Sequence, residues 1–393
     1  MSTTEATTLP MTDRLAALCQ RLSDEFEQSE SVEWQTTETE IPAAAYTDPA
    51  VFDREVERLF RRMPLCLGHE DQLREPGSLL ARELMGIPLL ITRDREGEIR
   101  VMLNVCRHRG AKIVGDEGKV CSKSRLTCPY HAWTYGLDGS LRAIPGAAGF
   151  PKLDKGDRGL RILPSEVRDG LIWAIVDPVR QDVGVAQFLD GIAEDLSAMQ
   201  LGAQRFYRQQ VRHAKANWKI IMNAFQEVYH LKRLHAKTIG PFFVDTRSAG
   251  EAVGPHVRFV VARDTTAAAR ARPGEEWDLR QDVTLSHVVF PNNIIIWHPD
   301  YTSILSIFPV AADESLFIHT MCTPHEPHDE RQSRHWERSF DMIDGGVFHE
   351  EDLFISERVQ AGLKSGANDS FLIGRFEHQL RWFQDHIDAI IAD

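Results

Sequence analysis

Asn104-Val-Cys106-Arg-His108-Arg-Gly110 and Cys128-Pro-Tyr-His131-Ala-Trp-Thr-Tyr135 each place a cysteine and a histidine two or three residues apart. Two thiolates and two imidazoles supplied by two short loops make a metal-ligand set, and two chemistries use it. A structural zinc ion takes such a set tetrahedrally. A two-iron cluster takes it with sulfur on one iron and nitrogen on the other, which raises the reduction potential and suits the site to passing single electrons. Cys19, Cys66, Cys121 and Cys322 have no histidine at ligand spacing and show no disulfide pattern, so they read as packed apolar residues or inert thiols.

Both loops lie in a stretch of short β-rich runs from Leu65 to Pro178. Ile87 to Thr92 and Ile99 to Asn104 flank the turn Arg95-Glu96-Gly97, and Leu171 to Val176 reads as a closing strand before Asp177-Pro178. Ahead of this stretch, Leu15, Leu18, Leu22 and Phe26 recur at helical intervals within residues 11 to 30, and a polar arm runs to about Tyr46. Asp48-Pro49 then opens a second helix that buries Phe52, Val56, Leu59 and Phe60. Behind it, helices are expected around 185 to 200 and 217 to 231, then several strands between Val257 and Cys322 and two C-terminal helices. The last carries Phe376, Leu380, Phe383, Ile387 and Ile390 on one face.

Read with Gly136 and Gly139 behind the second loop, the two motifs resemble the cluster loops of Rieske non-haem iron oxygenases. That resemblance favours a [2Fe–2S] cluster over zinc and implies Cys106, His108, Cys128 and His131 as its ligands. Residues 109 to 127 make a slightly longer gap between the pairs than the family pattern has. The gap reads as an enlarged hairpin, with Cys121 a packed or exposed spare thiol.

Further on, Asn217-Trp-Lys-Ile-Ile-Met-Asn223-Ala-Phe-Gln-Glu227-Val-Tyr-His230-Leu-Lys-Arg-Leu-His235 has a polar helical pattern. On a helix Asn223, Glu227 and His230 share a face, whereas His235, about 500° further round, stands about 140° from His230. The two histidines meet at one ion only if the helix ends between them, so a break is expected near Leu231 to Leu234. The stretch resembles the mononuclear-iron motif of the same family's α-subunits, in which two histidines and one carboxylate hold Fe(II) on one face and leave the rest open. The resemblance implies His230 and His235 as ligands. From Glu351-Asp352-Leu-Phe-Ile-Ser-Glu357-Arg-Val-Gln360-Ala-Gly-Leu363 it implies Asp352, with Glu351 as the competing carboxylate.

It also implies that Glu227 links His230 to a cluster histidine, here His131, of an adjacent subunit, and Asn223 is taken with Glu227 as a catalytic residue. The family usually has aspartate at the Glu227 position; a subset that includes enzymes acting on carnitine and betaine-like amines departs from this. His298-Pro-Asp300 has the form of a 2-oxoglutarate oxygenase H-x-D motif, but the tripeptide is short and leaves the cluster loops unexplained. His213, His319 and His349 read as surface or satisfied core groups.

The resemblance covers roughly residues 45 to 370. It implies an α+β chain with an N-terminal helix and arm over 1–44, a β-rich Rieske [2Fe–2S] domain over 45–178 and a mononuclear-iron catalytic domain over 179–393. The catalytic domain would be of helix-grip form, an antiparallel sheet wrapped on helices and completed by N-terminal residues. The function implied is the terminal oxygenase of a multicomponent system. Electrons from NAD(P)H would come through a separate reductase, with or without a ferredoxin, and O₂ would oxidise a small aromatic or alicyclic molecule, as in aromatic compound catabolism. Oxidative N- or O-demethylation of a carnitine- or betaine-like amine is the alternative, and a Rieske electron-transfer protein without oxygenase activity is the third reading. A homotrimer, or an α3β3 assembly with a small subunit, is the family's usual form. Candidate pocket walls are Phe225, Phe242, Phe243, Phe290, Ile294, Ile296 and Trp297.

The bulk composition agrees with a small-molecule substrate. Lys+Arg 45 against Asp+Glu 58 leaves −13 over 393 residues, which argues against nucleic acid or an anionic membrane as a partner. There is no G-x-G-x-x-G loop for a nicotinamide or flavin. With no bilayer-length apolar run and no signal-peptide pattern in the first residues, a cytoplasmic protein is expected.

Overall fold

The computed structural model describes residues 9–27, 38–115 and 118–392. The chain divides into two compact units, Phe60–Phe188, and Met1–Leu59 with Leu189–Asp393. Of the arm expected after the first helix, residues 31–37 lie outside the described residues, and Thr39–Pro42 behind them pairs antiparallel with Ser370–Ile373. Among those residues, no helix is long and apolar enough to cross a membrane.

The Phe60–Phe188 unit carries both cysteine-histidine loops on small antiparallel sheets. Ile99–Leu103, Ile87–Arg93, Ser78–Leu84 and Val120–Ser122 pair in that order, and Leu126–Thr127, Thr134–Tyr135 and Leu141–Ala143 form a second sheet. Leu79, Leu90, Met102, Leu126, Tyr135 and Leu141 close around Cys106 and Cys128 in one core. The enlarged gap between the ligand pairs contributes the Val120–Ser122 strand, and Cys121 packs half-buried against that core.

In the other unit, seven strands make one antiparallel sheet: β1 (Arg205–Ala214), β2 (Phe243–Val253), β3 (His256–Arg263), β4 (Val283–Val289), β5 (Asn293–Trp297), β6 (Thr302–Ala311) and β7 (Glu314–Thr323). Their spatial order is β1-β7-β6-β5-β4-β3-β2. Strand alternation puts Ile294, Ile296, Ser303, Leu305, Phe317 and His319 on one face and Ile295, Trp297, Thr302 and Ile304 on the other. Phe225 and Phe348, from the helical layer, pack on Phe317, so the first face is the one the helices grip. The expected 185 to 200 helix is split into Val185–Phe188 and Ala193–Ala198, and Gly191 between them has φ +89°. That split coincides with the boundary between the units.

The second helix, Pro49–Glu55, begins where expected, with the Asp48 carboxylate accepting from Ala50 N at 2.8 Å. It does not belong to the cluster unit, as a 45–178 division would have it, and the reason is a buried ion pair. Glu55 and Lys219 are both fully buried and paired with each other, and Glu55 also accepts from Trp218 Nε1 at 2.8 Å. The Lys219 ammonium donates to the Ala45 carbonyl as well, and Tyr46 Oη accepts from Asn223 Nδ2 at 2.9 Å. Residues 45–55 are thereby tied to the Trp218–Ala224 helix. Burial pushes the Glu55 carboxyl up and the Lys219 ammonium down, and each charge restrains the other's shift.

Removing one member of such a pair strands a buried charge, which costs about 3–5 kcal/mol. Glu55→Ala is therefore expected to destabilise the catalytic unit by that order in denaturant unfolding, and the double variant Glu55→Met with Lys219→Met by clearly less.

Candidate metal centres

The two cluster loops are the same backbone turn built twice. In the first, Cys106 N donates to Ala111 O and Gly110 N to Cys106 O, both at 2.9 Å. In the second, Cys128 N donates to Trp133 O at 2.9 Å and Ala132 N to Cys128 O at 3.0 Å. The residue four places after each cysteine is left-handed, Gly110 at φ +78° and Ala132 at φ +55°. This turn folds each loop back on the backbone of its own cysteine. His108 and His131 stand with ring centroids 4.8 Å apart, and His108 stacks on Trp133 at 4.8 Å.

Cys106 and Cys128 are free, buried thiols. Burial, then His131 and Arg109, lower the pKa of His108, which favours the neutral imidazole an iron needs. Two thiols and two adjacent imidazoles in this frame fit a [2Fe–2S] cluster. Tyr135 adds a further group: its Oη accepts from Arg107 N at 3.0 Å and lies 3.3 Å from Cys106 Sγ, where its O–H would donate to the thiolate of a bound cluster.

The second centre is assembled in the other unit, and there the helix ends earlier than expected. Trp218–Ala224 stops at Phe225, and the break spans residues 225 to 230; the expected break site, Leu231–Leu234, is itself a single helical turn. The cause is Glu227. Its carboxylate accepts from the backbone N–H groups of Tyr229 and His230 (the latter at 3.1 Å) and thereby competes with continuation of the helix. Asn223, Glu227 and His230 consequently do not share a helix face. His230 and His235 flank the one-turn helix, with ring centroids 5.0 Å apart. Gly240 closes the segment: its N–H donates to His235 O at 2.8 Å, and a Cβ there would lie 2.7 Å from that oxygen, so only glycine fits.

Asp352 arrives from a helix of unusual winding. Glu330–Phe340 continues as a π-helix over Asp341–Leu353 before tightening again at Phe354, and such wide turns recur at functional sites. His230, His235 and Asp352 each present one ligand atom within 4.8 Å of the others, and they are the one such group found among the described residues. Asp352 Oδ1 is 3.2 Å from His235 Nε2 and 3.8 Å from His230 Nε2, yet it is buried without a well-formed hydrogen bond. An orphaned carboxylate oxygen between two imidazole nitrogens fits a bound cation with a facial two-histidine, one-carboxylate set.

The far nitrogens are engaged: His230 Nδ1 by Glu227 Oε1, and His235 Nδ1 by Glu351 Oε2 at 2.6 Å. Burial lowers the His235 pKa, but Asp352 and Glu351 outweigh it and the net shift is upward. Asn223 does not join this group by any observed contact; its amide nitrogen holds Tyr46.

On the gripped face of the sheet stands an aromatic wall that sequence reading found only in part. Phe225 packs on Phe317 and Phe348 at 6.0 and 5.4 Å, and Phe348 meets His319 at 5.0 Å. Of the expected wall residues, Phe225 lies here. Phe290 packs against Phe383, Phe242 is exposed, and Trp297 points to the opposite sheet face from Ile294 and Ile296. A polar chain crosses the same face. Asp344, paired with Arg212, accepts from His319 Nδ1; His319 Nε2 then accepts from Ser303 Oγ; and Ser303 accepts from His298 Nε2, each link at 3.1 Å. His298 is thus part of a hydrogen-bond chain, while Asp300 binds His335 and Trp336, so the H-x-D tripeptide forms no metal site.

Comparison with known proteins finds a family match for each of the two regions. The Rieske [2Fe–2S] domain matches residues 63–154, and the ring hydroxylating alpha subunit catalytic domain matches residues 201–393. The chain belongs to the α-subunits of the Rieske non-haem iron oxygenases. It is accordingly an oxidoreductase, the terminal oxygenase component, which uses a [2Fe–2S] cluster, a mononuclear iron, O₂ and electrons from a reductase. The carnitine monooxygenase oxygenase subunit of Acinetobacter baumannii is 28% identical over 391 residues, covering 93% of this chain and 97% of its own. The chloroplastic choline monooxygenase of Spinacia oleracea is 33% identical over 199 residues, covering 49% of this chain and 44% of its own. In fold, the chain is like a quaternary ammonium Rieske monooxygenase solved with L-carnitine, with TM-score 0.76, 24% identity and coverage of 97% and 99%.

Two outcomes follow from these contacts. Tyr135→Phe removes a donor to a cluster sulfur, and the reduced, more negative cluster loses more than the oxidised one; protein-film voltammetry should show a lower potential. His298 and His319 are pushed below the usual histidine value of 6.5, first by burial. The unfolded chain therefore binds more protons than the fold below 6.5, and the stability they contribute is full above that value and lost as pH falls through their lower folded values. Unfolding free energy should drop between about pH 7 and 5, and less steeply in His298→Asn.

Proposed function

We propose that this chain is the oxygenase of a system that oxidises a carnitine- or betaine-like amine. In this reading Cys106, His108, Cys128 and His131 hold the cluster, and His230, His235 and Asp352 hold the iron. The observation that carries the iron assignment is Asp352 Oδ1, buried and unpartnered between two imidazole nitrogens. Three features support the amine. The chain is similar along nearly its whole length to carnitine monooxygenase oxygenase subunits. It has Glu227 where the family usually has aspartate. Phe225, two residues before Glu227, and Phe348, four before Asp352, join Phe317 in an aromatic wall whose faces attract a quaternary ammonium.

When bound, the two iron centres supply single electrons and reductive activation of O₂. The protein's part is arrangement. His230, His235 and Asp352 occupy one side and leave the other for substrate. Burial of His235 and Asp352 keeps water from the ligand side. Glu227 holds the Nδ1 side of His230 and is suited to reach His131 of an adjacent subunit, in a homotrimer without an obligatory small subunit, located in the cytoplasm. Asn223 acts through Tyr46, by fixing the helix that leads to Glu227. The overall change is C–H + O₂ + 2e⁻ + 2H⁺ to C–OH + H₂O. A hydroxyl placed on a carbon bonded to nitrogen collapses with C–N cleavage into an amine and a carbonyl compound.

The test is a substrate panel. The chain, with cluster and iron loaded and a reductase supplied, is given L-carnitine, γ-butyrobetaine, choline, biphenyl and indole, with O₂ uptake and product masses followed. Amine turnover, with a carbonyl fragment recovered, is expected. Turnover confined to biphenyl or indole would instead establish an aromatic hydroxylase, a reading favoured by the 34% identity over 191 residues to the biphenyl 2,3-dioxygenase subunit alpha of Rhodococcus jostii.

A further inference from the structure

Consecutive residues of the π-wound helix, Glu351 and Asp352, address opposite nitrogens of one imidazole. Glu351 Oε2 meets His235 Nδ1 at 2.6 Å, and Asp352 Oδ1 faces Nε2 at 3.2 Å. His235 is thus clamped along its N···N axis between two neighbouring side chains, and it is almost fully buried there. Glu351 is not a loose surface acid that happens to be near. The same Oε2 accepts the Thr238 hydroxyl at 2.7 Å, and Thr238, three residues after His235, also donates its N–H to His235 O at 3.0 Å. The histidine, the carboxylate and the threonine close a small ring of contacts.

A carboxylate can only accept, so contact with Glu351 requires the proton on Nδ1. With Nδ1 committed to Glu351, Nε2 is the nitrogen left to bind an ion shared with Asp352 Oδ1. Of the two acidic neighbours in the Glu351-Asp352 pair, one therefore faces the ion and the other faces the ligand that binds it.

We propose that Glu351 is a positioning residue for iron, fixing the tautomer and ring orientation of His235 with Thr238 as its anchor. This rests on the assignment of His230, His235 and Asp352 as the iron ligands. Partners of this kind typically change metal affinity about 10- to 100-fold.

The experiment uses the full chain with its cluster assembled and reads binding, not turnover. Anaerobic Fe(II) titration and the visible absorption of a Co(II) probe are recorded for the unaltered chain, Glu351→Ala, Glu351→Gln, Thr238→Val and His230→Ala, with cluster absorbance as the control for folding. Expected are an about 10- to 100-fold loss of Fe(II) affinity and an altered Co(II) spectrum in Glu351→Ala. Partial recovery is expected in Glu351→Gln, whose amide oxygen still accepts from Nδ1. A smaller loss is expected in Thr238→Val, which retains the carboxylate and carries the test should Glu351→Ala not fold. Unchanged affinity and an unchanged Co(II) spectrum in the Glu351 and Thr238 variants, with iron lost from His230→Ala, would overturn the role of Glu351 alone. Iron retained at full affinity in His230→Ala would overturn the metal centre itself, and this proposal with it.

Discussion

The catalytic unit is organised around one buried oxygen. Asp352 Oδ1 has two imidazole nitrogens within 4 Å and no hydrogen bond of its own. In a protein interior, a carboxylate oxygen in that position is costly unless a cation completes it. Each surrounding feature keeps those three atoms in place against that cost. Glu227 ends one helix and holds His230, Gly240 closes the chain over His235, and the wide winding of Asp341–Leu353 delivers the aspartate. Further out, Glu55 and Lys219 lock the helix that precedes Glu227 to residues from the start of the chain.

How much of this was legible in the sequence depended on how local the determining physics is. The approach of the Cys106–His108 and Cys128–His131 loops was readable because each is one tight turn with its own short spacing. The strands Ile87–Arg93 and Ile99–Leu103 and the Asp48 cap were readable for the same reason. His230 and His235 were found through their motif, but the place of the helix break was not. Helical periodicity cannot register a glutamate side chain that takes two backbone N–H groups for itself. Glu351 was noticed only as a rival to Asp352, because its partner lies 116 residues away in the chain.

The domain boundary was misplaced for a related reason. Residues 45 to 59 abut the cluster unit in the chain, and adjacency suggested membership. The buried Glu55–Lys219 pair, with Trp218, Tyr46 and Asn223 around it, assigns them to the catalytic unit instead. A glutamate in an amphipathic helix is ordinarily at the surface, and nothing in the sequence around position 55 distinguishes this one. The His298–Ser303–His319–Asp344 chain was equally hidden, since strand register alone brings its members together.

The adjacency of Glu351 and Asp352 has a bearing on how this chain can change through evolution. Loss or gain of a single codon in the stretch from Phe340 to Glu350 would rotate the helix by one position and bring a different neighbour to each nitrogen of His235. Substitutions at its exposed positions leave that register unchanged, whereas a change of length displaces Asp344 and Phe348 as well. Related chains should therefore keep the length of this stretch more strictly than its exposed residues.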